Sequence, residues 1–215
     1  MKSKVTTKEA ILACFKDGQT IGIGGQANHG SPKRLIDLLV ESGVKDLTIV
    51  ALDSGDMDLT VGRLIHSGQV KKIITTHIGK NPETVALYAA GKLEVELNPM
   101  GSFIERVRCG GMGLGGVLTK TGLGTVVEEN KQKITSNGEE YLLEPAIRVD
   151  IALTRARRGD PMGNLAYRGT SGNSNPILVT AGDLSIVEVD LMMELNELTI
   201  DEITTPGLFV DMILA

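Results

Sequence analysis

The sequence predicts an α/β protein: an open, mostly parallel sheet with helices on both faces, joined to a smaller β region. Three observations carry this. Short apolar runs bounded by turn residues alternate with amphipathic stretches up to about residue 110, the pattern of strands linked by crossover helices. Beyond that point the pattern changes to hairpin-like pairs around an Asn-Gly turn. The 26 glycines in 215 residues follow no repeat and exceed the usual share of roughly 7%, marking many tight turns and close backbone approaches.

The elements follow in order. Thr6-x-x-Glu9 reads as a capping box for a first helix, with Ala10, Ile11, Cys14 and Phe15 on one face and Asp17-Gly18 as its stop. Thr20 to Ile23 is a buried strand that breaks at Gly24-Gly25. Ser31 and Pro32 read as the N-cap and first position of a second helix, with Leu35, Ile36, Leu38 and Leu39 as its apolar stripe up to Gly43. A strand at 47–52, a helix at 61–66, a strand at 70–78, a helix from Pro82 to near Gly91, a strand at 93–97 and a helix at 102–108 continue the alternation. The glycine-rich stretch 110–124, the segments flanking Asn137-Gly138 and a strand at 150–154 are expected to form the smaller β region, with a final strand within 208–214. With no linker or repeat, residues 1–215 are expected to form a single domain.

Composition excludes several classes of function. A net charge of -5 argues against nucleic acid; Lys71-Lys72 and Arg155, Arg157 and Arg158 are small clusters, expected to be solvated element ends. No run reaches the ~18 apolar residues of a membrane helix, and the first residues lack a signal-peptide core, so a cytoplasmic protein with no membrane partner is expected. Cys14 and Cys109 have neither metal nor disulfide spacing and are expected to be buried thiols.

The strongest local signal is Gly22-Ile23-Gly24-Gly25-Gln26-Ala27, which fits G-x-G-x-x-A after a strand, with Asp53 ending the next strand. That is the dinucleotide fingerprint, and it raises a Rossmann-type oxidoreductase as an alternative. The alternative is weakened because Asn28-His29-Gly30-Ser31 intervene before Pro32, where the fingerprint would already be helical. Gly111-x-Gly113-x-x-Gly116 fits the pattern too, but follows a helix.

Read as a unit, Asp17-Gly18-x-x-Ile21-Gly22-Ile23-Gly24-Gly25-x-x-x-x-Gly30-x-Pro32 resembles the signature of the family I coenzyme A transferases. Asn81-Pro82-Glu83-Thr84, Arg106 to Gly111, Leu118 to Val127, Gly163-Asn164-Leu165, Asn175-Pro176 and Thr205-Pro206-Gly207 are similar to family segments in family order. The likeness is to the α subunits of the bacterial enzymes, with the coenzyme A transferase (NagB/RpiA-like) fold.

The resemblance implies transfer of coenzyme A between an acyl-CoA and a free carboxylic acid, a 3-oxoacid or short-chain fatty acid, by a ping-pong route through a glutamyl thioester. No cofactor or metal beyond coenzyme A as substrate is implied. The family's nucleophile lies in a β subunit segment like S-E-N-G, absent here, so no catalytic residue is expected in this chain and an α2β2 partner is implied. Glu128 and Glu129 are expected to be exposed carboxylates. Gly24, Gly25, Gln26, Ala27, Asn28, His29 and Gly30 are the implied coenzyme A loop, in which backbone N–H groups of Gly24-Gly25 and the helix start at Ser31-Pro32 would stabilise negative oxygen. Gln26, Met100, Gly101, Ser174 and Asn175 are the implied substrate pocket. Gln26, Met100 and Ser174 depart from the family's usual Phe, Gln and Phe; if they share one cavity, the acyl group should be bulkier or more polar. A non-enzymatic acyl or sugar-phosphate sensor is a further alternative, since fold does not fix function.

Overall fold

The computed structural model describes residues 2–215. The first half is the expected alternation: α1 (Lys8–Leu12), β1 (Thr20–Ile23), α2 (Lys33–Ser42), β2 (Leu47–Ala51), α3 (Val61–His66), β3 (Val70–Thr75), α4 (Pro82–Ala89), β4 (Glu94–Leu97) and α5 (Met100–Gly111). A three-stranded antiparallel sheet follows, β5 (Gly116–Thr119), β6 (Lys133–Ser136) and β7 (Glu139–Pro145), in the order β5-β7-β6. The chain then returns through β8 (Val149–Gly159), β9 (Leu165–Ala166), α6 (Asn175–Leu178), β10 (Gly182–Met192) and β11 (Met212–Leu214).

The large sheet runs β11-β10-β8-β1-β2-β3-β4, every neighbour parallel, with β9 antiparallel on β8. From β1 the sheet grows one way through β2, β3 and β4. The returning chain grows it the other way from β8. The switch point therefore falls between β1 and β8, and in open parallel sheets the crevice beyond the strands' carboxyl ends at that point is where ligands bind.

Side-chain alternation along β2 shows why helices cover both faces. Ile49 and Ala51 join a core with Ile11, Leu35, Leu39 and Leu64 of α1, α2 and α3. Val50 and Leu52 point the other way, to Phe103 and Val107 of α5 and Leu178 of α6. Each fully buried Leu or Ile stabilises the fold by about 1.5–3 kcal/mol relative to exposure. No helix among the described residues is long and apolar enough to cross a membrane.

Several local expectations change. Thr7, not Thr6, caps α1, its hydroxyl accepting from the Ala10 N–H at 3.3 Å. The helix ends at Leu12, and looser turns carry the chain on to bury Phe15. Pro32, not Ser31, holds the N-cap position of α2. Cys109 is buried, but Cys14 is only partly so; burial pushes its thiol up. The strand expected at 150–154 in the smaller β region is β8 of the large sheet, between β1 and β10, and β10, an 11-residue element, was not expected as a strand at all. Glu188 and Asp190 break its apolar run, and their partners lie on distant elements.

Candidate functional site

Beyond Ile23 the chain makes a tight hairpin. Gln26 and His29 exchange two backbone hydrogen bonds, each 2.9 Å, around Ala27 and Asn28 at φ 47° and 66°. Its base is clamped by the turn before α6. Ser174 Oγ accepts from the Gly25 N–H at 3.0 Å, and Asn173 donates to Gln26 Oε1 at 2.9 Å. Asn175, fully buried, donates to the carbonyls of Gly30 and Ser171 at 3.0 Å each and accepts from the Arg155 N–H at 2.9 Å. Its amide lies so close that a Cβ on Gly24 would sit 1.9 Å from Asn175 Oδ1. Glycine at 24 is thus a packing requirement. On the other flank Asp53 accepts from the N–H groups of Ala27 (2.6 Å) and Gly55 (2.8 Å), and Asn28 bonds to Asp56 and Thr60.

These bonds change two expectations. The Gly24 N–H donates to Leu153 O at 3.0 Å and the Gly25 N–H to Ser174, so neither is free for a developing oxyanion. The N-terminus of α2 is also taken: Glu188, 4% exposed, accepts from the N–H groups of Arg34 (2.7 Å) and Leu35 (3.3 Å). A buried carboxylate there satisfies two of the helix's first N–H groups and opposes its dipole, so this end is already committed to an internal anion.

The implied substrate residues divide. Gln26, Ser174 and Asn175 lie together at the loop, but Ser174 is 5% exposed and Asn175 is fully buried; both brace the loop, and Ser174 borders a void of about 10 Å³, too small for an acyl group. Met100 and Gly101 border a separate groove of about 460 Å³ with Val117, Leu118, Thr119 and Thr121. The condition that Gln26, Met100 and Ser174 share one cavity is therefore not met. Glu128 accepts from the Gly124 N–H at 2.7 Å and pairs with Lys133, contacts that hold its carboxyl below the usual range. His66 meets Glu83 at 3.1 Å.

Two features escaped the sequence reading. The first is a pocket of about 250 Å³ against the hairpin, bordered by His29, Gly30, Arg155, Arg157, Arg168, Thr170, Ser171 and Asp190. Arg155 and Arg157 were expected to be solvated ends. They instead converge on Asp190 of β10, at 2.8 and 3.4 Å, and that hydrogen bond raises Arg155 further above its already high pKa. Only the pairing of β8 with β10 reveals this; the alternation Arg155-Ala156-Arg157 was the available signal, since it puts both side chains on one strand face. The second is a groove of about 590 Å³ between β4, α5 and β7, where Glu144 is fully buried and meets Lys131 Nζ at 2.5 Å. Glu96 lies at its edge. Burial works against its charge, yet bonds from Arg106 and Lys72 leave its carboxyl below the usual range.

A parallel sheet with a braced glycine hairpin at its switch point defines an α/β fold of the class whose ligands sit beyond the strands' carboxyl ends, and the hairpin does not favour the dinucleotide reading. Its tight turn leads into no helix directly, and the Asp53 carboxylate is spent on two backbone N–H groups instead of facing a ribose. The fold is that of an acyl-CoA transferase from Escherichia coli O157:H7 solved as a thioester complex with CoA: TM-score 0.84 at 20% identity, over 99% of this chain and 47% of that one. The family model for coenzyme A transferase matches residues 4–215, and the chain belongs to that family. It is 48% identical over 214 residues to the acetate CoA-transferase subunit alpha of Escherichia coli, spanning 100% of this chain and 97% of that protein. It is 45% identical over 214 residues to the alpha subunit of the acetoacetyl-CoA:acetate/butyrate CoA transferase of Clostridium acetobutylicum, spanning 100% and 98%.

Proposed function

We propose that this chain is the α subunit of a heteromeric coenzyme A transferase, forming one wall of the site where a β subunit brings the glutamate that carries coenzyme A. The carrying observation is the end-to-end match to relatives that are themselves named alpha subunits. The chain also has no S-E-N-G segment. Coenzyme A moves from an acyl-CoA to a free carboxylic acid, a thioester exchanged for a thioester, so no further cofactor is required. A carboxylate is a weak nucleophile, and binding energy from the remote coenzyme A moiety is what presses the reacting groups together. The α chain's part is a rigid hairpin that presents Gln26, Asn28 and His29 at the switch point, with the groove beside Met100 as a second wall.

The test is reconstitution. The chain alone shows no acyl exchange; mixed with its β subunit it gives ping-pong kinetics, and light scattering reports α2β2. Intact-mass analysis of the stalled reaction finds the coenzyme A adduct on the β subunit. An adduct on any glutamate of this chain would overturn the assignment.

A further inference from the structure

The pocket against the hairpin carries more positive charge than its own ion pairs consume. Arg155, Arg157 and Arg168 border it, and the single acid in its lining is Asp190, shared by Arg155 and Arg157. Glu188 approaches Arg155 only at 4.0 Å and is committed to the start of α2 and to Arg34. The Arg168 guanidinium meets no carboxylate among the described residues, although the chain as a whole is acidic, at -5. Clustered like charges in a concave site repel one another and concentrate counter-anions. Two neutral donors add to this. Gly30 and Thr170 border the pocket, and neither the Gly30 N–H nor the Thr170 hydroxyl has a protein acceptor among the described residues. Arg155, fixed by Asp190, sets the floor; Arg157 is half-exposed and Arg168 exposed, so both can turn toward a ligand. Guanidinium forks suit planar or tetrahedral oxyanions, which they grip with paired hydrogen bonds.

We infer that this pocket binds a non-reacting oxyanion of the substrate, either a phosphate of coenzyme A or a second carboxylate of a dicarboxylic acid, held chiefly by Arg157 and Arg168. The inference rests on the transferase reading above, because it takes the hairpin to flank bound substrate. Arg168 acts in binding and takes no part in the chemical step. Its loss should therefore raise KM for the substrate whose anion it holds, and lower kcat as well where that remote contact's binding energy is used to press the reacting groups together.

The experiment uses the reconstituted heteromer with R168Q, R157Q and the charge-conserving R168K. Each is assayed with an acyl-CoA and its dephospho-CoA analogue, and with acetate and succinate as acceptors. One lost charge-assisted contact should raise KM about 10-fold. If the rise in R168Q is seen with the acyl-CoA and vanishes with the dephospho analogue, the anion is the 3′-phosphate of coenzyme A; if it is seen equally with both, the anion is the pyrophosphate. If it is confined to succinate, the anion is a second carboxylate. Any of these results, with most of the KM restored in R168K, supports the site. KM values within about twofold of wild type for all four substrates overturn it. So does failure of R168Q to assemble with the β subunit, because the pocket is then a subunit contact. If the wild-type heteromer transfers nothing, the transferase reading falls, and calorimetric titration with pyrophosphate and with succinate decides the pocket separately. Binding that R168Q abolishes supports the pocket, and no heat with either anion overturns it.

Discussion

Two turns of this chain share one backbone hand and differ in everything that holds them. Asn137-Gly138 joins β6 to β7 at φ 52° and 77°, using residues that tolerate left-handed backbone. A Cβ on Gly138 would meet nothing within 4 Å, so local sequence alone sets that turn. Ala27-Asn28 takes the same hand at φ 47° and 66°, yet places an alanine where its Cβ costs about 1–2 kcal/mol. Asp53 offsets that strain with a charge-assisted bond to the Ala27 N–H, of a kind that stabilises by about 1.5–3 kcal/mol. The Asn137 hairpin is a local solution. The Ala27 hairpin exists because distant side chains over-determine it, as is usual for strained backbone at functional sites.

The comparison can be broken most severely at Asn175. Asn175→Ala strips partners from two carbonyls and one N–H in a buried place and should cost about 3 kcal/mol or more in urea unfolding, against under about 1 kcal/mol for Asn137→Ala. A similar loss for the two variants would show that the functional hairpin is also local. Next in size is Gly24→Ala, whose new Cβ drives into the Asn175 amide. It should cost about 2–3 kcal/mol alone and much less in an Asn175→Ala background, so the double-mutant cycle should report a coupling of about 1 kcal/mol or more. Strict additivity would mean that the loop moves away unaided.

Asp53→Asn keeps the shape but weakens two charge-assisted bonds. We expect about 1–2 kcal/mol of destabilisation, with faster proteolysis inside residues 24–30 as the local readout. The smallest effect tests what the two turns share, their left-handed backbone. Ala27→Gly relieves about 1–2 kcal/mol of strain against about 0.4–1 kcal/mol of added unfolded-chain entropy, a net gain of up to about 1.6 kcal/mol. Gly138→Ala should lose about 1 kcal/mol in open space, because only the backbone conformation resists it. Since the substitutions are reversed, the thermal midpoint should rise for the first and fall for the second; midpoints moving in the same direction would show that left-handed strain does not set one of these turns.

Local rules carried the sequence reading through the strand–helix alternation, the Asn-Gly hairpin and the order of family segments, because each depends on residues close together in the chain. Those rules also located the break after Ile23, since a glycine cluster ending a buried strand is a local pattern, while the extent of the loop to Gly30 came from the family resemblance. They could not say what the glycines were for. Gly24 is required by Asn175, and the Ala27 turn by Asp53; one partner opens α6 and the other follows the end of β2. The same limit hid β10, whose Glu188 and Asp190 look wrong for a central strand until α2 and Arg155 are packed against them. It also led to Met100 being grouped with Ser174, which the fold seats in a different place. Sequence by itself determined the strand–helix alternation of the first half and the family. Tertiary structure decided which polar groups are spent on each other and which are left for a ligand, because a hydrogen bond made across the sheet has no signature in the order of residues.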